Sequence, residues 1–286
     1  MSGHAIISGG SSGIGLAIAR ELASSGWRLS LLARDRDRLA ASADLLAADG
    51  AMAVRVHPVD VADQPALAAA VQEAVAALGP PSLLIAAAGM VVPGHFAELE
   101  DAAFTRTMAV NYLGSLHLVR AALPALRRVP GSRIVLLSSG AGLIGLYGYT
   151  AYAPTKFAVR GLAEALRSEL APEGIGVSVV FPPDTDTPQL HAERRLRPLA
   201  TSRIAAGARV QPADAVARAI LRGVRRNRFV IAPGWEMAAL AWLHSFVGPL
   251  LHRFWFDRII RGCRRQPPAG DVSGITCQPA QDDRIS

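Results

Sequence analysis

Short apolar runs alternate with longer amphipathic stretches along this chain. Each run covers four or five residues between turn-forming residues, which is typical of buried strands. The runs predict strands at Ala5–Ser8, Leu29–Ala33, Ala53–His57, Leu83–Ala87, Ile134–Ser138, Val177–Phe181 and Phe229–Ala232. The stretches between them predict helices at Ile14–Ser25, Asp37–Ala48, Pro65–Leu78, Asp101–Arg127, Ala153–Leu170 and Pro212–Arg226.

Strands that alternate with helices of this length favour right-handed crossovers between parallel strands. We therefore predict an α/β fold with a single doubly wound (Rossmann) parallel sheet of about seven strands and helices on both faces. The chain has 286 residues, of which 51% are hydrophobic, and this is enough for one large core. We place this domain at residues 1–235.

The remaining residues divide into two segments. Residues 236–262 are apolar and aromatic, but His244, Pro249 and Arg253 interrupt them, which argues against a membrane-spanning helix of ~20 apolar residues. A segment at a membrane surface, a lid over an apolar site and a subunit interface all stay open for this extension. Residues 263–286 are polar and without periodicity, so we predict a disordered tail.

The formal net charge of +7 comes from the C-terminal third of the chain. Residues 1–189 hold 14 Lys and Arg against 16 Asp and Glu, whereas residues 190–286 hold 16 against 7. Such a basic region fits a solvated face or an anionic membrane surface. Nucleic acid is not an expected partner, because no aromatic-interleaved basic groove or nucleic-acid motif accompanies the charge.

The cysteines and the N-terminal sequence indicate in which cellular compartment the protein is expected. The two cysteines, Cys263 and Cys277, lie away from the patterned core, so neither a disulfide framework nor a metal site is expected. No secretory-signal pattern precedes the first strand. We expect a cytoplasmic protein, at the cytoplasmic face of a membrane if the basic extension binds one.

A glycine-rich loop joins the first predicted strand to the first helix. Its sequence, Ser8-Gly-Gly-Ser-Ser-Gly-Ile-Gly15, has glycines at 9, 13 and 15. Such glycines permit a tight turn, bring the backbone close to a pyrophosphate and let the helix pack near the sheet with its N-terminus facing the anion. The strand before it and the helix after it favour a dinucleotide site over an ordinary turn.

Residues after the second and third strands predict how an adenosine is bound. Arginine at the end of the second strand favours the 2′-phosphate of NADP, whereas an acidic residue would take the 2′-hydroxyl of NAD. Arg34 comes first there, so NADP(H) is the expected cofactor. Arg38 and Ser11 can join the same phosphate, although Arg38 is equally interpreted as a solvated charge. Asp60 ends the third strand and is placed to accept from the adenine amino group.

Tyr152 and Lys156 are the leading candidates for catalysis. Four residues apart in a helix, they lie on one face about 6 Å from each other. A neighbouring ammonium and an oxidised nicotinamide ring favour the phenolate, so that the tyrosine can give and take a proton. Lys156 is also the one lysine among 30 basic residues, which suggests a position where a guanidinium does not serve.

Ser139 and Asn111 complete the reactive set. Ser139 follows the fifth strand, thirteen residues before Tyr152, and its hydroxyl can bond a substrate carbonyl. Ser138 is the rival for this role. Asn111 falls inside the long fourth helix, where asparagine is a poor helix former. We expect it to open the helix and hold a water that connects Lys156 with solvent.

Together these motifs resemble the short-chain dehydrogenase/reductase superfamily, over about residues 4–232. The resemblance implies that Tyr152 is the acid, Ser139 the carbonyl ligand and Lys156 both the pKa modulator and a ribose ligand, with Asn111 as the relay. It implies cofactor contacts from Gly9, Ser11, Ser12, Gly13, Ile14, Gly15, Arg34, Arg38, Asp60, Val61, Gly89, Tyr152, Lys156, Pro182, Thr185 and Thr187. It also implies a homodimer or homotetramer. Ala86 replaces the usual first asparagine of the Asn-x-Ala-Gly motif, which questions stability more than chemistry.

Within the superfamily, the run Pro182-Pro-Asp-Thr-Asp-Thr-Pro188 resembles the 3-ketodihydrosphingosine reductase family. The resemblance implies NADPH-dependent reduction of the ketone of a long-chain amino alcohol in sphingolipid synthesis, with Asp184 and Asp186 as candidates to meet its ammonium group. Another apolar ketone, such as a steroid or ketoacyl compound, is the alternative substrate. A dinucleotide-binding sensor without catalysis is the alternative of a different class.

Overall fold

Parallel strands and helices alternate through most of the chain. The computed structural model describes residues 3–206 and 209–264. Its strands are β1 (His4–Ser8), β2 (Arg28–Ala33), β3 (Ala53–Pro58), β4 (Leu83–Ala86), β5 (Arg133–Leu137), β6 (Gly176–Val180), β7 (Thr185–Asp186), β8 (Gln211–Pro212) and β9 (Val230–Ile231). Its α-helices are α1 (Gly13–Ala23), α2 (Arg36–Ala48), α3 (Gln64–Leu78), α4 (Asp101–Met108), α5 (Gly114–Leu126), α6 (Ala153–Leu170), α7 (Pro188–Arg194), α8 (Leu199–Ala205), α9 (Ala213–Arg225), α10 (Trp235–Leu250) and α11 (Asp257–Arg264).

Seven of these strands form one parallel sheet in the order β3-β2-β1-β4-β5-β6-β9. Ile7 of β1 pairs with Leu31 of β2 on one side and with Ile85 of β4 on the other. The strand order reverses between β1 and β4, and ligands bind beside the carboxyl ends of the strands at such a switch point. The predicted doubly wound sheet is confirmed, and its topology directs attention to the ends of β1 and β4.

Apolar layers cover both faces of the sheet. One face packs against α1, α2 and α9, where Ile18 and Ile220 are fully buried. The other face packs against α3, α5 and α6, where Leu67 and Leu118 are fully buried. Because neither face meets water, the strands are continuous apolar runs rather than alternating ones, and this made them recognisable in the sequence.

The long fourth helix is interrupted at its centre. Predicted as Asp101–Arg127, it is divided into α4 and α5 by a π-helical turn at Ala109–Leu113 that contains Asn111. An extra residue in a helical turn releases backbone groups from the regular pattern, and such turns are frequent at functional sites. The helix therefore opens at the residue where the sequence led us to expect it.

Residues 182–212 contain structure that periodicity did not predict. β7 and β8 form a second, two-stranded parallel sheet in which Thr185 pairs with Gln211. α7 and α8 cover seven residues each, so neither is long enough for a helical repeat to be distinguished from chance. This segment follows β6 and supplies one wall of the cavity described below.

Ala86 fits its position without the usual asparagine. It is 2% exposed and belongs to the apolar core on one face of the sheet. The next two backbone N–H groups both donate to Ser8. Ala87 donates to the Ser8 carbonyl at 3.2 Å, and Ala88 donates to the Ser8 hydroxyl at 3.3 Å. The small side chain therefore leaves these two donors satisfied.

The C-terminal extension is helical to Arg264. α10 is followed by a π-helical turn at Leu251–Phe256 and by α11. Pro249, inside α10, cannot donate a backbone hydrogen bond, which favours the irregular turn after it. Within residues 3–206 and 209–264, no helix is long and apolar enough to cross a membrane.

The predicted boundaries of this C-terminal region stay predictions. The tail was predicted to begin at residue 263, but Cys263 and Arg264 belong to α11. The other tail residues, 265–286, lie outside the described part of the chain.

Candidate active site

A cavity of about 560 Å³ opens where β1, β4, β5 and β6 end. Its lining includes the predicted site residues Gly9, Ser12, Gly13, Ile14, Gly15, Gly89, Ser139, Tyr152, Lys156, Pro182, Thr185 and Thr187. The predicted residues Ser11, Arg34, Arg38, Asp60, Val61 and Asn111 are outside the lining. The cavity therefore joins the glycine-rich loop to the reactive set, whereas the residues predicted for adenosine lie beyond it.

The glycine-rich loop forms a cradle that side chains would fill. Gly9 has a φ of +70°, a conformation that side chains disfavour. A Cβ at Gly15 would lie 2.2 Å from the Gly9 carbonyl oxygen. Ser12 is the N-cap of α1, but its side chain makes no capping hydrogen bond, so the first N–H groups of the helix are available to an anion. The loop thus fits the pyrophosphate of a dinucleotide.

Charged residues after β2 form the predicted ribose site. Arg34 is exposed just beyond the strand. Asp35 caps α2, because its carboxylate accepts from the Arg38 N–H at 3.0 Å, and it pairs with Arg38 Nε at 3.1 Å. Asp35, the acidic residue nearest the strand end, and Arg38 are therefore already bonded to each other. The predicted contacts of Arg34 and Arg38 with a phosphate stay predictions.

Asp60 lies after β3, where an adenine contact was predicted. One carboxylate oxygen accepts from the Ala62 N–H at 3.0 Å, and the other is paired with Arg106 of α4. Sequence reasoning missed Arg106, because no pattern links the third strand with the fourth helix. The role of Asp60 at adenine stays a prediction.

Lys156 is a buried cation of the cavity. It is 6% exposed, and its Nζ donates to the Leu137 carbonyl at 3.0 Å. Burial lowers the pKa of Lys156 to about 8. Nζ also lies 5.6 Å from the centre of the Tyr152 ring, so the two candidates come together as their spacing predicted.

Tyr152 precedes the first residue of α6 and lines the cavity. Burial raises the pKa of its phenol above the ordinary value, and the interaction with Ser139 lowers it by less. Burial therefore sets the direction of the shift, and the expected effect of the neighbouring ammonium on the phenolate stays a prediction. The phenol is protonated at neutral pH, and this is the form that gives a proton to a ketone.

The structure separates the two serines that follow β5. The hydroxyl of Ser138 is buried and donates to the Lys156 carbonyl at 2.8 Å, which attaches α6 to the sheet. Ser139 is less buried, and its Oγ accepts from the Ala141 N–H at 3.2 Å. The Ser139 hydroxyl proton can therefore be donated within the cavity. This geometry favours Ser139 as the carbonyl ligand.

Asn111 lies behind the cavity wall and ties two segments together. Its Oδ1 accepts from the Met90 N–H at 2.8 Å, and its Nδ2 donates to Thr155 Oγ1 at 2.9 Å. A Cβ at Gly89 would lie 3.3 Å from Asn111 Oδ1 and 3.6 Å from Lys156 Nζ, so both polar groups flank this glycine. The relay through a water stays a prediction.

Two threonines after β6 are held by the protein itself. Thr185 Oγ1 donates to the Pro183 carbonyl at 2.8 Å, and Thr187 caps α7 by accepting from the Leu190 N–H at 3.2 Å. A Cβ at Gly13 would lie 3.2 Å from the Thr187 methyl group, so this turn lies against the glycine-rich loop. Their contacts with a cofactor stay predictions.

An ion-paired cluster forms part of the cavity wall. Glu193 accepts from Arg197 Nε at 2.7 Å and from the Tyr149 hydroxyl, and Arg197 also bonds Asp184 at 3.3 Å. Sequence reasoning found only Asp184 of this group. Glu193 and Arg197 are four residues apart, but the segment has no extended helical pattern that would have singled them out.

The second acidic candidate for a substrate ammonium lies elsewhere. Asp186 is exposed, pairs with His191 at 2.8 Å and does not line the cavity. Asp184 does line it. The prediction for Asp186 therefore disagrees with the structure, because Thr185 of β7 lines the cavity and the residue after it points to the opposite side of the strand.

Comparison with known families agrees with the sheet topology. Residues 3–197 match the model of the short chain dehydrogenase family. Since this match covers more than half of the chain, the protein belongs to that family. It is an oxidoreductase that acts on a CH–OH group and uses a nicotinamide dinucleotide.

Named relatives span most of the chain. The 3-dehydrosphinganine reductase of Danio rerio is 38% identical over 251 residues, which cover 86% of this chain and 76% of that protein. The 3-ketodihydrosphingosine reductase of Bos taurus is 37% identical over 251 residues, with the same coverage of both chains.

Among solved structures, a short chain dehydrogenase/reductase from Burkholderia phymatum in complex with NAD has a TM-score of 0.76 at 27% identity, covering 87% of this chain and 95% of that one. An alcohol dehydrogenase from Thermococcus sibiricus complexed with 5-hydroxy-NADP has a TM-score of 0.70 at 26% identity, covering 81% and 95%. One of these proteins is in complex with NAD and the other with an NADP derivative, so the fold itself does not choose between the two cofactors.

Proposed function

We propose that this protein reduces 3-ketodihydrosphingosine, a long-chain amino ketone, to dihydrosphingosine with NADPH, as a step of sphingolipid synthesis. The similarity over 251 residues to relatives named for this reaction carries the proposal. The reactive set, Ser139, Tyr152 and Lys156, supports it because it lines a cavity whose other walls are apolar and charged.

The residues of the cavity account for the proton in this reaction. When bound, the nicotinamide supplies a hydride to the carbonyl carbon. The carbonyl oxygen accepts from the Ser139 hydroxyl and takes the Tyr152 proton as negative charge develops on it. Lys156, charged below about pH 8, stabilises the phenolate that Tyr152 becomes and holds the ribose of the cofactor.

The apolar part of the cavity lining suits an alkyl chain. It consists of Ile144, Leu146, Ile204, Met237, Leu240, Leu251, Trp255 and Phe256. Several of these residues belong to the C-terminal extension, which therefore closes one side of the cavity. Burial of alkyl surface gains about 25 cal/mol per Å², so this lining favours long-chain ketones over small polar ones.

Purified protein should oxidise NADPH when 3-ketodihydrosphingosine is added. Tyr152→Phe should lower kcat by a factor of about 10² or more, because it removes the proton donor. Tyr112→Phe is the matched control, since Tyr112 is outside the cavity lining. NADPH absorbance measures turnover, and thermal unfolding checks the fold. Normal turnover by Tyr152→Phe would contradict the mechanism, and turnover of steroid or ketoacyl substrates alone would contradict the substrate.

A preference for NADPH is supported by the charges after β2. Arg34 is exposed and makes no ion pair within the described residues, whereas the adjacent Asp35 carboxylate is occupied by the N-terminus of α2 and by Arg38. An occupied carboxylate is a poor acceptor for a ribose hydroxyl. A free guanidinium is well suited to a phosphate, which it can bind through two parallel hydrogen bonds.

Arg34→Asp should shift the cofactor preference toward NADH. Removal of the guanidinium and addition of a carboxylate should lower the NADPH-to-NADH ratio of kcat/KM by about 10-fold or more. Arg120→Asp, an exposed change on α5, controls for the altered net charge. An unchanged ratio in Arg34→Asp would show that this arginine does not bind the 2′-phosphate.

We further propose that the extension holds the enzyme at an anionic membrane surface. Trp242, Phe246 and Leu250 recur every four residues on α10 and are 84%, 79% and 56% exposed. The opposite face packs against the core and the cavity through Met237 and Leu240. Exposed arginines follow on the next turns, at Arg253, Arg258 and Arg261. Apolar side chains beside basic ones are typical of segments that bind anionic interfaces.

The double variant Trp242→Ser/Phe246→Ser should bind anionic vesicles much less than the intact protein does. Co-sedimentation with phosphatidylserine-containing vesicles measures binding, and activity on a detergent-dispersed substrate should be retained. Met52→Ser, which also removes an exposed apolar side chain, is the control. Failure of the unaltered protein to co-sediment would contradict the membrane proposal without affecting the reductase proposal.

A further inference from the structure

Charged side chains form one wall of a mostly apolar cavity. Glu193 is 9% exposed, and the side chain of Arg197 is 5% exposed. Burial of such groups is costly unless other charges and hydrogen bonds replace water. Two carboxylates, those of Asp184 and Glu193, share the single guanidinium of Arg197. The cluster therefore carries one net negative charge.

The bonds of this cluster are confined to one oxygen of each carboxylate. Oε1 of Glu193 accepts from the Tyr149 hydroxyl and from Arg197 Nε. Oδ2 of Asp184 accepts from both terminal nitrogens of Arg197, at 3.3 Å. Among residues 3–206 and 209–264, Glu193 Oε2 and Asp184 Oδ1 have no hydrogen-bond donor. Both residues line the cavity, so these oxygens are suited to a donor brought by a ligand.

The cluster also lies beside the reacting group. The Tyr149 ring stands edge-on to the Tyr152 ring, with 5.7 Å between their centres, and the Tyr149 hydroxyl bonds Glu193. Glu193 and Asp184 line the same cavity as Ser139. The remaining charged residues of that part of the lining, Arg209 and Glu236, are exposed and also line the adjoining smaller pocket.

We propose that Glu193, with Asp184, binds an ammonium group carried next to the ketone and so selects amino ketones over neutral or anionic ones. This inference rests on the proposed function, since it assigns a site to the amino group of that substrate. The nitrogen of an α-amino ketone is bonded to the carbon beside the carbonyl. When the carbonyl oxygen is bound by Ser139 and Tyr152, the ammonium therefore lies close to Tyr152, where the cluster supplies its unpaired negative charge.

The test compares kcat/KM for 3-ketodihydrosphingosine and for a ketone of the same chain length without the amino group. Glu193→Gln keeps the oxygen that Tyr149 and Arg197 bond but removes the charge. It should lower kcat/KM for the amino ketone about 10- to 100-fold and change the neutral ketone by less than about threefold. Glu193→Asp should recover part of the loss. Asp186→Asn removes a neighbouring carboxylate outside the cavity and should change neither value.

Each outcome of this comparison decides the proposal. Equal losses on both ketones in Glu193→Gln would assign the residue a structural role and overturn the inference. Equal kcat/KM of the unaltered enzyme for the two ketones would overturn it without any variant, so a poorly folded Glu193→Gln does not prevent a decision. Equal kcat/KM values for the two ketones would leave the reductase proposal unaffected. Failure of the unaltered enzyme to reduce either ketone would instead contradict the proposed function itself.

Discussion

A positive charge buried beside the reacting phenol is the constraint on which the rest of the site depends. Lys156 is 6% exposed, and its burial lowers its pKa to about 8, so the protein holds a cation where water solvates it poorly. The surroundings are arranged to keep it there. The Leu137 carbonyl accepts from Nζ, and the Ser138 hydroxyl attaches the Lys156 backbone to the end of β5. Only the lysine side chain combines a compact charge with a pKa that burial can bring near neutrality.

The sheet and the reactive set were predictable because their signals are local. Strands covered on both faces are continuous apolar runs, which are visible in the sequence. Ser139, Tyr152 and Lys156 come together because α6 begins beside the end of β5, where Ser138 bonds the Lys156 carbonyl. The interrupted fourth helix was predictable for a similar reason, since asparagine disfavours a regular helix at that point. Each of these features is determined by residues within one or two elements.

The features that sequence reasoning missed depend on contacts between distant segments. Tyr149 and Glu193 are 44 residues apart, and Asp60 and Arg106 are 46 apart, with no periodicity that relates them. The pattern of the sequence also did not decide which of two neighbouring acids faces the cavity: Asp184, which precedes β7, lines it, whereas Asp186, within β7, is exposed. The Tyr149–Glu193 pair nevertheless contributes to the polarity of the cavity, which is lined both by the Lys156 cation and by a cluster with an excess of negative charge. Apolar residues of the C-terminal extension line the same cavity, which therefore suits a ligand with one polar end and an apolar chain.

The requirement for a buried ammonium at this position is tested most directly by kcat/KM for ketone reduction by Lys156→Arg. This variant keeps the positive charge but replaces the ammonium with a larger guanidinium whose pKa burial does not bring near neutrality. Arg160→Lys, a reverse exchange one turn along α6, is the matched control and should stay close to the unaltered enzyme. If the ammonium is required, kcat/KM of Lys156→Arg should fall by about 10²-fold or more with the fold retained. Activity of Lys156→Arg within a few-fold of the unaltered enzyme would contradict this requirement.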